Sequence, residues 1–188
     1  MSTEKPLNNF SLISRLFGNL FYRAPTDSVL AGVFDWLQQK GLDQVWALDA
    51  DKESQTALDN LQLKIDLTLL NEEYQKLLGT EGKVATAISS YDIDVADFMA
   101  FRNERGMPEV ERADHFALLL LTASWLEDNV DSVSAQRTLF EAFLLPCAAK
   151  FLTQIETYAT LPFYRSLAYL TREILAAMAD ELEENRNI

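Results

Sequence analysis

RADHFALLLLTASWLED, residues 112–128, decides the fold. Phe116, Leu118, Leu119, Leu120, Leu121, Ala123, Trp125 and Leu126 make this stretch apolar on nearly every side at the helical repeat. A helix with no polar face belongs in the middle of a bundle. On its N-terminal side, residues 9–23 place Phe10, Leu12, Ile13, Leu16, Phe17, Leu20 and Phe21 on one broad stripe, which predicts a first helix with a single buried face. Pro25 stops that helix, and Thr26 or Asp27 can cap the next by accepting its free N–H groups. The second helix carries Val29, Leu30, Val33, Phe34, Trp36 and Leu37 and ends at Gly41, a left-handed terminator. After a less regular stretch to residue 51, helices are predicted over 54–63 and 67–78, the latter closed by Gly79.

Residues 80–93 lose the helical pattern. Gly82, Ser89, Ser90 and Asp92 mark a long structureless loop there, of the kind that often carries function. The pattern returns over 95–105 and stops at Gly106, with Pro108 beyond, leaving a hinge-like break at 106–113 before the central helix. Further helices are predicted over 132–144, from Pro146 and from Pro162, because proline fits a first turn whose N–H has no partner. Glu181, Glu183 and Glu184 sit at the negative end of the last helix dipole, which predicts a frayed end. No linker is rich enough in Gly, Ser or Pro to separate two domains. The expected fold is all-α, a single-domain helical bundle over residues 1–188 with about eight to nine helices.

The chain's 29 Asp and Glu against 16 Lys and Arg give a formal net charge of −13, with no local basic stripe. Such a polyanion repels phosphate backbones, so nucleic acid and anionic membrane surfaces are excluded as partners, and a basic protein segment is attracted. Cys147 is the only cysteine, which rules out an intrachain disulfide and suits a reducing compartment. Residues 1–9 are polar, and the longest compact apolar run, 116–121, is too short to span a bilayer. The expected location is the cytoplasm, without membrane insertion.

Catalytic chemistry finds little to work with. A single histidine, His115, defeats a His-based zinc site, a carboxylate–histidine dimetal bundle and most triads. Phosphate-cradling and dinucleotide-binding glycine loops are missing. No catalytic residue, metal ligand or cofactor is assigned. Cys147, beside Pro146 at a helix start, reads as a small buried hydrophobe. Trp36, Trp46, Trp125 and the Phe163–Tyr164 pair read as core anchors. Asp114 can cap the central helix while His115 turns inward, a pH-responsive spot in an otherwise permanently charged surface.

The order of features is more specific than any one of them. It runs from Leu16 to Tyr22, through Glu73-Tyr74 and Leu77-Leu78-Gly79 with the following loop, to Arg105-Gly106-Met107-Pro108. Ala113-Asp114-His115 then leads into residues 118–127, followed by Leu144-Leu145-Pro146 and residues 159–164. This resembles the TorD/DmsD/NarJ family of redox-enzyme maturation chaperones over about residues 10–184, and most of all its YcdY-like subgroup. The resemblance implies a cytoplasmic all-helical chaperone, not an enzyme. Its partner would be a client metallo- or redox enzyme, often a molybdoenzyme, held by a twin-arginine leader (signal) peptide until the cofactor is inserted. It also implies a client-binding set of Glu73, Tyr74, Leu77, Leu78, Gly79, Asp114 and His115, with Ser89 in the loop. Where many members have Pro-Pro-Tyr before a serine, this chain has Ala85-Thr86-Ala87-Ile88-Ser89, and Cys147 replaces an aromatic. A non-exported cytoplasmic metalloenzyme is therefore an alternative client. Glu81, Asp92, Asp94, Asp97, Glu104, Glu109 and Glu111 surround the candidate site and suit a basic, then apolar, peptide. The competing classes are a small helical hydrolase or nucleotide-binding protein and a dimerisation scaffold. The oligomeric expectation is a monomer or a domain-swapped homodimer.

Overall fold

The computed structural model describes residues 9–111, 114–130 and 133–186. The helix starts expected at 112 and 132, and the N-terminal residues 1–8, lie outside them. The helices are α1 (Phe10–Tyr22), α2 (Ala31–Gln38), α3 (Gly41–Val45), α4 (Lys52–Gln62), α5 (Leu67–Leu78), α6 (Val95–Glu104), α7 (Ala117–Asn129), α8 (Val133–Leu139), α9 (Leu145–Tyr158) and α10 (Pro162–Arg186). A π turn, Phe140–Leu144, joins α8 to α9 in one rod. The architecture is all-α, and the described residues form no strands.

The central helix sits where its composition requires. Residues Ala117 to Leu120 and Ala123 are almost wholly inaccessible. Helix α1 lies along it, with Phe10, Ile13, Phe17, Leu20 and Phe21 turned into the core. Two buried or half-buried serines replace the polar face that α7 lacks. Ser14 Oγ donates to the Leu120 carbonyl at 2.7 Å, and Ser11 and Ser124 share a 2.9 Å hydroxyl contact. Phe116 stacks on Phe151 of α9 at 4.0 Å, and Phe21 meets both rings edge-on. Helix α10 crosses α4 and α9 on the far side. Aspartates start four of the elements by accepting backbone N–H groups: Asp27 ahead of the 3₁₀ turn Ser28–Leu30, Asp51 at α4, Asp66 at α5 and Asp94 at α6.

Several expectations change. The left-handed residue after α2 is Lys40 (φ 65°), not Gly41. Gly41 starts α3 because the Trp36 indole leaves no room beside it, a Cβ there falling 2.2 Å from Trp36 Cε2. Gly106 does take positive φ, at 72°, beyond α6. The stretch 80–93 is structured: it holds a 3₁₀ turn, Ile88–Tyr91, and buries Val84, Ile88 and Tyr91. Helix α10 runs through its acidic end to Arg186. There Arg137 of α8 donates to the Leu182 carbonyl at 3.1 Å, bringing a cation to that terminus. Phe163 and Tyr164 are buried as expected, whereas all three tryptophans are only half-buried. The rod Val133–Tyr158 has the length and apolar content of a membrane span, but half of its most apolar window is packed inside the bundle, as in a core helix.

Cys147 is fully buried, and loss of water around the thiolate pushes its pKa up to about 12. Burial likewise pushes Tyr91 up to about 12. Each folded-state pKa lies above its ordinary value, so the folded form retains protons that the unfolded chain releases. These groups therefore contribute stability that is present below about pH 9 and is lost as pH rises toward 12. Thiol-reagent labelling at pH 8 should be negligible in the native protein and immediate in urea. Fast native labelling would mean the thiol is not held in the core.

Candidate functional site

The loop after α5 and the segment before α7 are built as one unit. The Ile88 N–H donates to the Asp114 carbonyl at 2.7 Å, and the Phe116 N–H donates to the Thr86 carbonyl at 2.7 Å. Ala87 and His115 thus form an isolated antiparallel bridge. This pairing keeps residues 114 and 115 out of the helix; Phe116 already has helical backbone angles, and α7 begins at Ala117. His115 turns inward as expected, but the capping role passes to it from Asp114. Asp114 is exposed and does not cap, whereas buried His115 accepts the Ala117 N–H on Nδ1 at 3.0 Å. The cap requires an unprotonated Nδ1. The His115 ring meets Tyr22, at the end of α1, edge-on at 5.2 Å.

Tyr22 is the hinge of the site. Its carbonyl accepts the Tyr74 hydroxyl at 3.0 Å, tying the end of α1 to α5. Between these ends opens a polar cleft of 340 Å³, lined on the α1 side by Tyr22, Arg23, Ala24 and Asp27. Tyr74, Gln75, Leu78, Gly79 and Thr80 line its α5 side, with Glu111 at the rim. Two helix C-termini therefore converge on one cavity, each carrying roughly half a negative charge. Asp27 and Glu111 add two carboxylates. Arg23 is the cation among the lining residues. Its guanidinium lies 3.4 Å from Asp27, donates to Asn19 Oδ1 and sits 5.6 Å over the Tyr22 ring. The balance is negative, and the cavity suits a guanidinium or ammonium group.

The motif residues divide by position. Tyr74, Leu78 and Gly79 line the cleft, and His115 abuts it through Tyr22. Glu73 faces the other way. Its carboxylate accepts the Thr160 N–H at 2.7 Å, the Leu161 N–H at 3.2 Å and the Thr160 hydroxyl, thereby capping α10 from a different helix. Leu77 is core, at 2% exposure. Asp114 and Ser89 are exposed and are not in its lining. The acidic set divides likewise. Asp94 caps α6, Asp92 lies 3.6 Å from Lys150, and Glu111 reaches the cleft. Arg23 and Ala24 carried no motif signal, and Asp27 signalled only a helix cap. Glycine is required where α5 turns. A Cβ on Gly82 would lie 2.4 Å from the Leu77 carbonyl oxygen, and one on Gly79 2.5 Å from that of Gln75. Among the described residues no cluster of three His, Cys, Asp or Glu could hold a metal ion.

No family model matches the chain. It is 76% identical over 182 residues to an uncharacterised protein of Haemophilus influenzae, covering 97% of this chain and 99% of that one. To the chaperone protein YcdY of Escherichia coli it is 40% identical over 185 residues, covering 95% and 98%. To the probable Tat proofreading chaperone DmsD of Haemophilus influenzae it is 28% identical over 203 residues, covering 97% and 96%.

Removing the Glu73 carboxylate leaves the Thr160 and Leu161 donors without their acceptor, so Glu73→Ala should cost about 2–3 kcal/mol in urea unfolding. Glu73→Gln, which keeps one carbonyl acceptor, should cost less. Loss of under about 0.5 kcal/mol in both variants would show that this cap does not hold α10.

Proposed function

The chain belongs to the YcdY-like subgroup of the TorD/DmsD chaperone family, and we propose that it recognises a client redox enzyme by seating a basic residue of the client in the Tyr22–Glu111 cleft. The observation that carries this reading is the convergence of two helix C-termini and two carboxylates on one cavity. A bound guanidinium would accept the field of both dipoles and pair with Asp27 or Glu111, and it could lie over the Tyr22 or Tyr74 ring. The net charge of −13 would steer a basic segment in and raise its association rate more than its affinity. In this reading the client is a metalloenzyme precursor in the cytoplasm, held by its leader peptide while its cofactor is inserted. A mature enzyme whose surface presents a basic segment is the second form of the same proposal. In this reading the exposed Asp114 and Ser89 serve as contacts for the flanking chain. Glu73 and Leu77 act on the client only by setting the position of α5.

Titration calorimetry against a peptide with two adjacent arginines followed by apolar residues tests the reading. Asp27→Asn with Glu111→Gln should weaken binding by about tenfold or more, and added salt should weaken the wild type toward the same value. Equal affinity of variant and wild type, insensitive to salt, would rule out the cleft as a cation site.

A further inference from the structure

A second opening lies against the cleft along the same helix. It is an apolar groove of 240 Å³ between α1 and α2, floored by Leu16, Leu30, Val33 and Trp36. Its lips are Leu12 (36% exposed) and Val29 (56% exposed), two large apolar side chains left open to water. Exposed apolar surface rimmed by polar groups marks an interaction site more often than it marks a fault of packing.

The groove and the cleft are joined on both walls. On α1, Asn19 lines the groove and accepts the Arg23 guanidinium Nε–H at 3.2 Å, and Arg23 lines the cleft. On the opposite wall, Asp27 of the cleft accepts the N–H of Val29 of the groove at 2.9 Å. Leu12, Arg15, Leu16, Asn19 and Tyr22 follow the helical repeat along one side of α1, a path of about 15 Å at 1.5 Å per residue, and Arg23 continues it past the helix end. The result is one channel, acidic at the C-terminal end of α1 and apolar toward its N-terminal end.

We propose that this groove is the second half of the client site, taking an apolar aliphatic segment that adjoins the basic residue held in the cleft. The proposal rests on the cleft reading and extends it, because charge orders the ligand: the cation must lie at the Asp27 end and the apolar run at the Trp36 end. Burial of aliphatic side chains between Leu12 and Val29 then supplies affinity, while the cleft supplies register. Trp36, half-buried in the groove wall, reports occupancy directly.

Two peptides separate the two halves. One carries an arginine pair followed by a run of leucine and alanine; the other carries the same pair followed by serine and glycine. Leu12→Ser with Val29→Ser, both at exposed positions and neither adding charge beside the cleft, should weaken the first peptide about tenfold and leave the second unchanged. Asp27→Asn with Glu111→Gln should weaken both. The first peptide should also shift tryptophan emission in the wild type and not in Trp36→Phe. Binding of the first peptide by Leu12→Ser/Val29→Ser at wild-type strength would overturn the groove assignment while leaving the cleft intact. Failure of the wild type to bind either peptide would overturn both.

Discussion

Everything in this bundle is arranged around a helix that has no side to show to water. Apart from its two ends and the half-buried edge of Leu121 and Trp125, α7 is covered by its neighbours, and its backbone and few polar side chains must find partners inside the protein. The coverings are specific. Ser14 reaches the Leu120 carbonyl, and Gln136 of α8 donates to the Ala123 carbonyl at 3.0 Å. Arg102 of α6 is buried with Thr122 of α7 as a partner at 2.6 Å and the Pro108 carbonyl as another at 2.9 Å. That guanidinium ties α6, the turn at Pro108 and α7 together, and burial lowers its pKa. The aromatic contacts of Phe116 with Phe21 and Phe151 fill the remaining sides.

The same constraint creates the site at one end of that helix. Just ahead of α7 the chain forms a single β-bridge at His115, and backbone buried beside a core needs hydrogen-bond partners. Residues 86–88 supply them, which explains why the stretch after α5 is packed in place as a structured unit. His115, turned inward by the bridge, occupies the space beneath Tyr22 and satisfies the first N–H of α7. The ends of α1 and α5 are left facing each other across a gap. Helix ends that converge with like sign repel, and the fold holds them together with the Tyr74 hydroxyl bond and the Arg23–Asp27 contact. A cation entering the gap relieves that repulsion, so the feature that strains the free protein slightly is the one that favours a basic ligand.

How much of this was legible depends on the range of the interactions involved. The one-sided stripe of residues 9–23 and the all-round apolar character of 116–126 are local patterns, and they place α1 and the body of α7, though not the start of α7. Proline at 146 reads as a helix start, and it does lie in the first turn of α9. What the pattern hides is that the helix runs through it, because the π turn at Phe140–Leu144 widens the backbone where a proline ring would meet the preceding turn. Glu73 shows the opposite limit. A glutamate in a helix beside a motif tyrosine gives no sign that its partner is the start of α10, 87 residues away. The motif marks a neighbourhood, and only the fold separates the residues that line it from those that hold it in place.

Arg23 explains how a cleft of this sign can be selective without being sticky. A site made only of carboxylates and helix C-termini would take any cation, including free metal ions or a lysine from a wrong partner. With Arg23 against Asp27, one carboxylate is already partly answered, and a newcomer must offer something the internal arginine does not. A guanidinium paired with Glu111 is one such gain; an apolar segment filling the groove beyond Asn19 is another. Neither alone is large, because each charge in the cleft is at least partly hydrated and exposed pairs contribute about 0–1 kcal/mol. Discrimination in the proposed reading therefore comes from requiring both at once, a basic residue and an apolar run at the spacing that α1 sets.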